Sequence, residues 1–347
     1  MTKQNPFYIT FGKEPNEYIR RINEFNNIVE TFISPQPYTN SFIISGVRGS
    51  GKTVLLTSLY NYFNNEKKCI VVDLNTRRDM LEDLAANIYD KGKVKFAFIE
   101  KEFSFSFHGL SLTLKGKNPI KNVSVLLNRM FEILKKQGVK VIVTVDDIDK
   151  GENLKVFIKE FQSLYRKNFP IFFIATGLYD AVESLEKQSG LTFIARCPKI
   201  YLAPLSLKYI EKSYKSIFEI DDEMANRLAN LTNGYAYAYQ LVGYLFYKSE
   251  TKTIDESFLN EYDFYLEESV YNLIYESLSP KEKEVIKAIC LDNCNTNRLL
   301  LQKGVLTSNN ISTYKERLSR RGICDNSSRG EIKIILPRFK EYIEYRK

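Results

Sequence analysis

Long apolar runs, histidine and paired cysteines are scarce in this 347-residue sequence, and each scarcity removes a class of function. No stretch approaches the ~20 consecutive apolar residues that a membrane span requires. The opening Met1-Thr2-Lys3-Gln4-Asn5-Pro6 lacks the apolar run of a signal peptide, so a cytoplasmic chain with no membrane partner is expected. Histidine occurs once, at His108, and every Ser-His-Asp, Cys-His or His-rich metal mechanism would have to rest on that residue. Its surroundings, Phe103 to Leu114, alternate with period two, the pattern of a hairpin or edge strand. The five cysteines, Cys69, Cys197, Cys290, Cys294 and Cys324, are odd in number, scattered and without a neighbouring histidine. They support neither a disulfide framework nor a zinc site, and Cys290 and Cys294 read as core residues of one helix.

Against these absences stands one dense motif. Gly46-Val47-Arg48-Gly49-Ser50-Gly51-Lys52-Thr53 is a complete G-x-x-x-x-G-K-[ST] string. It follows the apolar run Ser41-Phe42-Ile43-Ile44-Ser45 and precedes Val54-Leu55-Leu56, so a strand runs into a glycine loop that opens a helix. Glycines at 46, 49 and 51 let successive N–H groups turn inward around a phosphate chain at the positive end of the helix. Gly46 to Val54 are therefore expected to bind a nucleoside triphosphate, with Lys52 bridging the β- and γ-phosphates and Thr53 offering its hydroxyl to Mg²⁺.

Residues 139–145 form a β-branched run followed by Asp146-Asp147-Ile148-Asp149. A strand buried on both faces and ending in acids is a Walker B strand, in which Asp146 holds the Mg²⁺ shell and Asp147 orients water or acts as base. Acids at a helix N-terminus would read the same way for dipole reasons alone. A further buried run, Pro170 to Gly177, places Thr176 either to bond a γ-phosphate or its attacking water, or as a turn former. Alternating strands and helices over 41–203 predict a parallel sheet wound on both faces, the doubly wound α/β class. A helix is expected over Asn16–Phe32, stopped by Pro35 and Pro37. Beyond Pro204 helices take over, with a tyrosine stripe (Tyr235, Tyr237, Tyr239, Tyr262, Tyr271 among others) read as core against a base-stacking surface.

The net charge of +8 is concentrated at the end of the chain: residues 278–347 hold fifteen Lys/Arg and eight Asp/Glu. There Ser279-Pro280-Lys281-Glu282 opens a helix, Leu299 to Lys303 forms a second, and Ser308 is expected to cap a third. A hairpin across Asn326 to Gly330 completes the order of a winged helix-turn-helix. With Ile311, Tyr314 and Leu318 inward, the third helix is expected to present Asn309, Asn310, Thr313, Lys315, Arg317 and Arg320 outward, with Arg321 at its end and Arg329 at the wing tip. Such side chains contact phosphates and base edges of DNA, although winged helices also serve as docking modules.

Glycine loop, acid-ended strand, Ala175-Thr176-Gly177-Leu178, Leu191 to Arg196, Leu202 to Ser206, Gly234 to Gly243 and the tail from Tyr314 to Phe339 together resemble the AAA+ and STAND P-loop ATPases of the origin-initiator type. More narrowly, the chain is similar to bacterial and mobile-element ATP-binding proteins. The resemblance implies a lead-in helix over 1–40, a P-loop ATPase core over 41–203, a helical lid over 204–277 and a winged helix over 278–347. It also implies a lid closing over Mg-ATP, and a role for Arg196 at the γ-phosphate of its own subunit or a neighbour's, against a plain surface ion pair. Arg20 or Arg21 would match the arginine that packs near the base. Two departures imply slow turnover: Asp147 replaces the commoner Glu, and Tyr237 and Ala236 stand where a sensor arginine and a proline often occur. The function implied is an ATP-dependent switch that binds DNA; the alternative is a nucleotide-gated scaffold that signals to a protein partner or assembles with itself.

Overall fold

Short β-branched and aromatic runs with no polar residue between them become central strands because both of their faces must be covered. The structure is a computed structural model and describes residues 4–10, 15–91, 105–107, 110–112 and 122–346. Its strands are β1 (Ser41–Ser45), β2 (Cys69–Asp73), β3 (Phe105–Phe107), β4 (Leu110–Leu112), β5 (Lys140–Val145), β6 (Ile171–Gly177) and β7 (Lys199–Tyr201). Five of them form one parallel sheet in the order β2-β5-β6-β1-β7. Every residue of β1 and β6 is buried. Ser45 lies opposite Gly177 and Val145 opposite Ala175, so β1, β5 and β6 all end at one edge of the sheet. The crossover helices follow ordinary stop and start chemistry. Asn122 caps Val123–Gln137 through its side chain, and Gly138 ends that helix with φ +65°. β3 and β4 pair antiparallel as the period-two pattern predicts; His108 lies outside the described residues.

The chain divides into two compact units. One comprises residues 22–45 and 55–200, the other residues 1–21, 46–54 and 201–347. In the first, the core is the aliphatic sheet surface with helices packed on it, including Phe157 and Phe161 around Phe173. In the second, helices dominate: Leu207–Phe218, Asp222–Thr232, Ala236–Lys248 and Glu256–Leu266, a π turn at Glu267–Tyr271, then Pro280–Asp292, Asn297–Gln302 and Ile311–Arg320. The hairpin β8 (Cys324–Asp325) and β9 (Lys333–Ile334) follows, with a further short helix at Phe339–Tyr345 that the sequence reading lacks.

Of the tyrosine stripe, Tyr235, Tyr237, Tyr239, Tyr262 and Tyr271 are buried, whereas Tyr244, Tyr247, Tyr265 and Tyr275 are half-buried. Tyr214, Tyr239, Tyr262 and Tyr271 are fully buried, and their hydroxyls find partners within the same unit. Tyr214 Oη donates to Tyr239 O at 2.6 Å, Tyr262 Oη to Leu231 O at 2.9 Å, and Tyr271 Oη to Pro337 O. Burial pushes the Tyr239 phenol up to about 12.

Two expectations are corrected. The lead-in helix begins at Ile22 and not at Asn16. Upstream, Gln240 takes the backbone in hand: its Oε1 accepts from Tyr8 N–H at 3.0 Å and its Nε2 donates to Glu17 O at 2.6 Å. Backbone groups engaged by a distant side chain are not available for a helix ladder. The third helix of the basic tail begins at Ile311 and not after Ser308, because Thr307–Asn310 close a turn in which Asn310 Oδ1 accepts from Thr307 N–H at 2.8 Å.

Candidate nucleotide site

Gly46 follows β1 directly, and the loop it opens is built on glycine geometry. Gly49 has φ +77° and Gly51 φ +91°, conformations that side chains strongly disfavour. A Cβ on Gly46 would stand 2.6 Å from Ser50 Oγ, and one on Gly49 would stand 2.5 Å from Tyr235 Oη and 2.9 Å from Tyr237 Cβ. Ser50 N–H donates to Val47 O at 3.1 Å, tightening the turn. Lys52, the first residue of the helix Lys52–Asn65, donates from Nζ to Gly46 O and Val47 O, each at 3.1 Å. The ammonium therefore lies over the loop it follows. Val47 and Ser50 are buried, Gly49, Lys52, Thr53 and Val54 are half-buried, and Arg48 is exposed.

The outer side of the loop is held by its own unit. Arg21 Nη2 donates to Ser50 O at 2.9 Å and Nη1 to Ala203 O at 2.8 Å. Tyr235 Oη donates to Arg48 O, and Tyr237 N–H to Gly49 O at 3.0 Å. Arg21 and not Arg20 is thus the arginine beside the loop; Arg20 is exposed. The sequence reading took Tyr235 and Tyr237 as core members of the tyrosine stripe, and Tyr237 also as standing where a sensor arginine often occurs, and gave neither a place at the loop. Their signal was position alone, at the start of the helix Ala236–Lys248.

In the other unit, Thr176 organises the acidic turn after β5. Its Oγ1 accepts from Asp147 N–H at 2.8 Å and donates to Asp146 Oδ1, while its carbonyl accepts from Ile148 N–H at 2.8 Å. Thr176 is fully buried, and its single O–H is donated to Asp146. Asp147 adopts φ +55°, and Asp146 and Asp147 are both exposed. Arg196 ends the short helix Thr192–Arg196 and is exposed.

The residues fit a polyphosphate and its magnesium. Gly49 and Gly51 hold left-handed backbone in the loop, and a lysine amine and a threonine follow it directly. Among the described residues no cluster of three His, Cys, Asp or Glu is present.

The basic tail departs from the sequence reading. Ile311, Lys315 and Leu318 form the buried face of the third helix, with Tyr314 only half-buried. Lys315 is 7% exposed and donates to Asn297 Oδ1 at 2.8 Å; burial lowers its pKa. Arg321 is equally buried and, with Arg317, faces the fully buried Glu282, whose Oε1 lies 3.3 Å and 3.2 Å from the two Nε atoms. Arg321 also donates to Ser277 O at 3.3 Å. Lys315 and Arg321 therefore do not belong to an outward basic face, whereas Arg317 is half-buried beside Glu282. Asn309, Thr313, Arg320 and Arg329 are exposed, Asn310 is half-buried, and Arg320 pairs with Glu316 four residues away.

A five-stranded parallel sheet in the order β2-β5-β6-β1-β7, a glycine loop after β1, later helices and a small hairpin are the elements of a P-loop, AAA+-like fold. Residues 21–176 match the KAP family P-loop domain, and residues 268–343 match a domain of unknown function, DUF8462. Among solved structures, the ORC2 protein of Aeropyrum pernix in its ADPNP-ADP complexes aligns over 97% of this chain and 96% of its own, with 13% identity and a TM-score of 0.58. Its ADP form aligns over the same shares with 13% identity and a TM-score of 0.50. Cdc6p from Pyrobaculum aerophilum covers 97% and 96% at 14% identity, with a TM-score of 0.48. At these identities the likeness is one of fold. Comparison with curated protein sequences finds no match.

Proposed function

We propose that this protein is a slowly hydrolysing Mg-ATP switch that contacts DNA through its C-terminal winged helix. The observation that carries the nucleotide half is the glycine loop, with left-handed Gly49 and Gly51 and the Lys52 amine folded over it. In this reading Gly46 to Val54 cradle the polyphosphate and Lys52 neutralises it. Thr53 and Asp146 hold the magnesium ion, Asp147 orients the attacking water, and Arg196 meets the terminal phosphate. Bound magnesium supplies charge neutralisation across the phosphate oxygens. Thr176 keeps the Asp146 carboxylate and the Asp147 backbone in register. Turnover is slow because the Asp147 carboxylate is one methylene shorter than the glutamate commonly found at this place. The four-part division, with breaks near residues 40, 203 and 277, is proposed with it.

The DNA half rests on the charge surplus after residue 278 and on the exposed Asn309, Thr313, Arg320 and Arg329. The test is fluorescence anisotropy of a labelled duplex at increasing salt. Arg320→Ala with Arg329→Ala removes two phosphate contacts and flattens the log-log salt slope by about 2. Wild-type protein with no salt-sensitive DNA binding contradicts this half.

A second reading, a nucleotide-gated scaffold for a protein partner or for self-assembly, is favoured by one observation: Lys315 and Arg321 are buried on partners within the chain, and the half-buried Arg317 faces the same Glu282 as Arg321. Solution mass with and without Mg-ATP separates the two, since the scaffold changes its assembly state and the DNA switch changes its DNA affinity.

A further inference from the structure

Three successive carbonyls of the glycine loop, those of Arg48, Gly49 and Ser50, each accept a hydrogen bond from outside the loop. The donors are Tyr235 Oη, Tyr237 N–H at 3.0 Å and Arg21 Nη2 at 2.9 Å. In a trans peptide the C=O of one residue and the N–H of the next point in opposite directions. Pinning the Arg48 and Ser50 carbonyls to the outer side therefore turns Gly49 N–H and Gly51 N–H to the inner side. The amide between them, Ser50 N–H, is spent on Val47 O. We propose that Arg21, Tyr235 and the Tyr237 backbone form an outer clasp that sets the peptide planes of the loop for a nucleoside di- or triphosphate, making Arg21 and Tyr235 positioning residues.

Two further features fit a built device. Gly49 is the residue whose Cβ would collide with Tyr235 Oη at 2.5 Å, so the clasp closes only on glycine. Arg21 uses both arms of its fork, spanning Ser50 O and Ala203 O, and ties the loop to the segment that leads into the helix Leu207–Phe218. The hydroxyl of Tyr235 is held on a buried ring, and burial raises its pKa, so it remains a donor across the working pH range.

The inference rests on the nucleotide reading above, and the experiment separates the two. Mg-ATP and Mg-ADP are titrated calorimetrically into the full-length wild type, Tyr235→Phe, Arg21→Ala, Arg21→Lys and Lys52→Ala, with circular dichroism to check folding. Loss of one clasp bond should weaken both nucleotides about tenfold in Tyr235→Phe and in Arg21→Ala. Arg21→Lys, which keeps one bond of the fork, should fall between. Low millimolar guanidinium should restore binding to Arg21→Ala and leave Tyr235→Phe unchanged, a readout that a purely structural role would not move. If Lys52→Ala loses binding while Tyr235→Phe and Arg21→Ala bind as wild type, the clasp is wrong and the nucleotide reading stands. If wild type binds neither nucleotide, both fall. Should Arg21→Ala fail to fold, Tyr235→Phe decides alone, since it removes a single oxygen.

Discussion

Glu282 is the place where a single substitution should cost most. Its carboxylate is fully buried and performs two tasks. Oε2 accepts from Ser279 N–H at 2.8 Å while Ser279 Oγ accepts from Glu282 N–H at 3.3 Å, a reciprocal cap on the helix Pro280–Asp292. Oε1 faces Arg317 and Arg321. Glu282→Ala removes the cap's return bond, worth ~0.5–2 kcal/mol, and leaves the 7%-exposed Arg321 without its counter-charge, worth ~3–5 kcal/mol. The terms overlap, so about 4 kcal/mol is expected for Glu282→Ala, and about 3 kcal/mol for Glu282→Gln, which keeps the cap and loses the charge. In a unit of about 150–250 residues each kcal/mol moves the melting point by about 2–4 °C. A drop of roughly 10 °C is therefore expected for Glu282→Ala. The chain has no tryptophan, so the assay is thermal melting by circular dichroism at 222 nm. Pairing Glu282→Gln with Arg321→Met should recover much of the loss, because it removes the buried cation that Glu282→Gln leaves without a counter-charge. Melting of Glu282→Ala within a degree or two of wild type would refute the reasoning.

Three further outcomes are expected. Gly243→Ala places a Cβ 2.5 Å from the Phe7 ring, so overpacking should cost about 1–3 kcal/mol in urea unfolding; Phe7→Ala in the same background should cost less than it does alone. Gly322→Ala forces φ +75° on a side chain and sets a Cβ 3.2 Å from Val47 Cβ in the glycine loop, so it should destabilise by about 1–2 kcal/mol and weaken Mg-ATP binding, read by melting and titration together. Burial pushes the Cys197 thiol up to about 11 and the Cys290 thiol up to about 12 from an ordinary 9.0. The folded state therefore holds these protons longer than the unfolded one. Their contribution to stability is complete below pH 9 and is lost as pH climbs through about 11 and 12, so urea midpoints should fall over that window and not between pH 6 and 8.

Much of the fold is legible because its signals are local. The run Lys140–Val145 states a doubly buried strand without help from the rest of the chain, and Gly46 to Thr53 state a cradle by spacing alone. What could not be read depends on partners far away in sequence. Gln240 bonds the backbone at Tyr8 and at Glu17, the second of which lies in the segment where a helix was expected. Lys315 and Arg321 look like solvent-facing cations until Asn297 and Glu282 are seen beside them. A helix of ten residues with cations at 315, 317 and 320 and another at its C-cap, 321, cannot show which of them has a buried acid across the domain. The outer clasp was hidden for a similar reason, since Tyr235 is one tyrosine among 23 and only its hydroxyl at Arg48 O separates it from the core tyrosines.

The central claim is that the loop from Gly46 to Thr53 holds a nucleoside triphosphate, and ligand-induced stabilisation tests it most directly. A ligand present at 100 times its Kd stabilises the folded protein by about 2.7 kcal/mol, so saturating Mg-ATP should raise the melting temperature of the wild-type protein by several degrees and leave that of Lys52→Ala unmoved. An equal shift in both proteins, or none in either, would contradict the account.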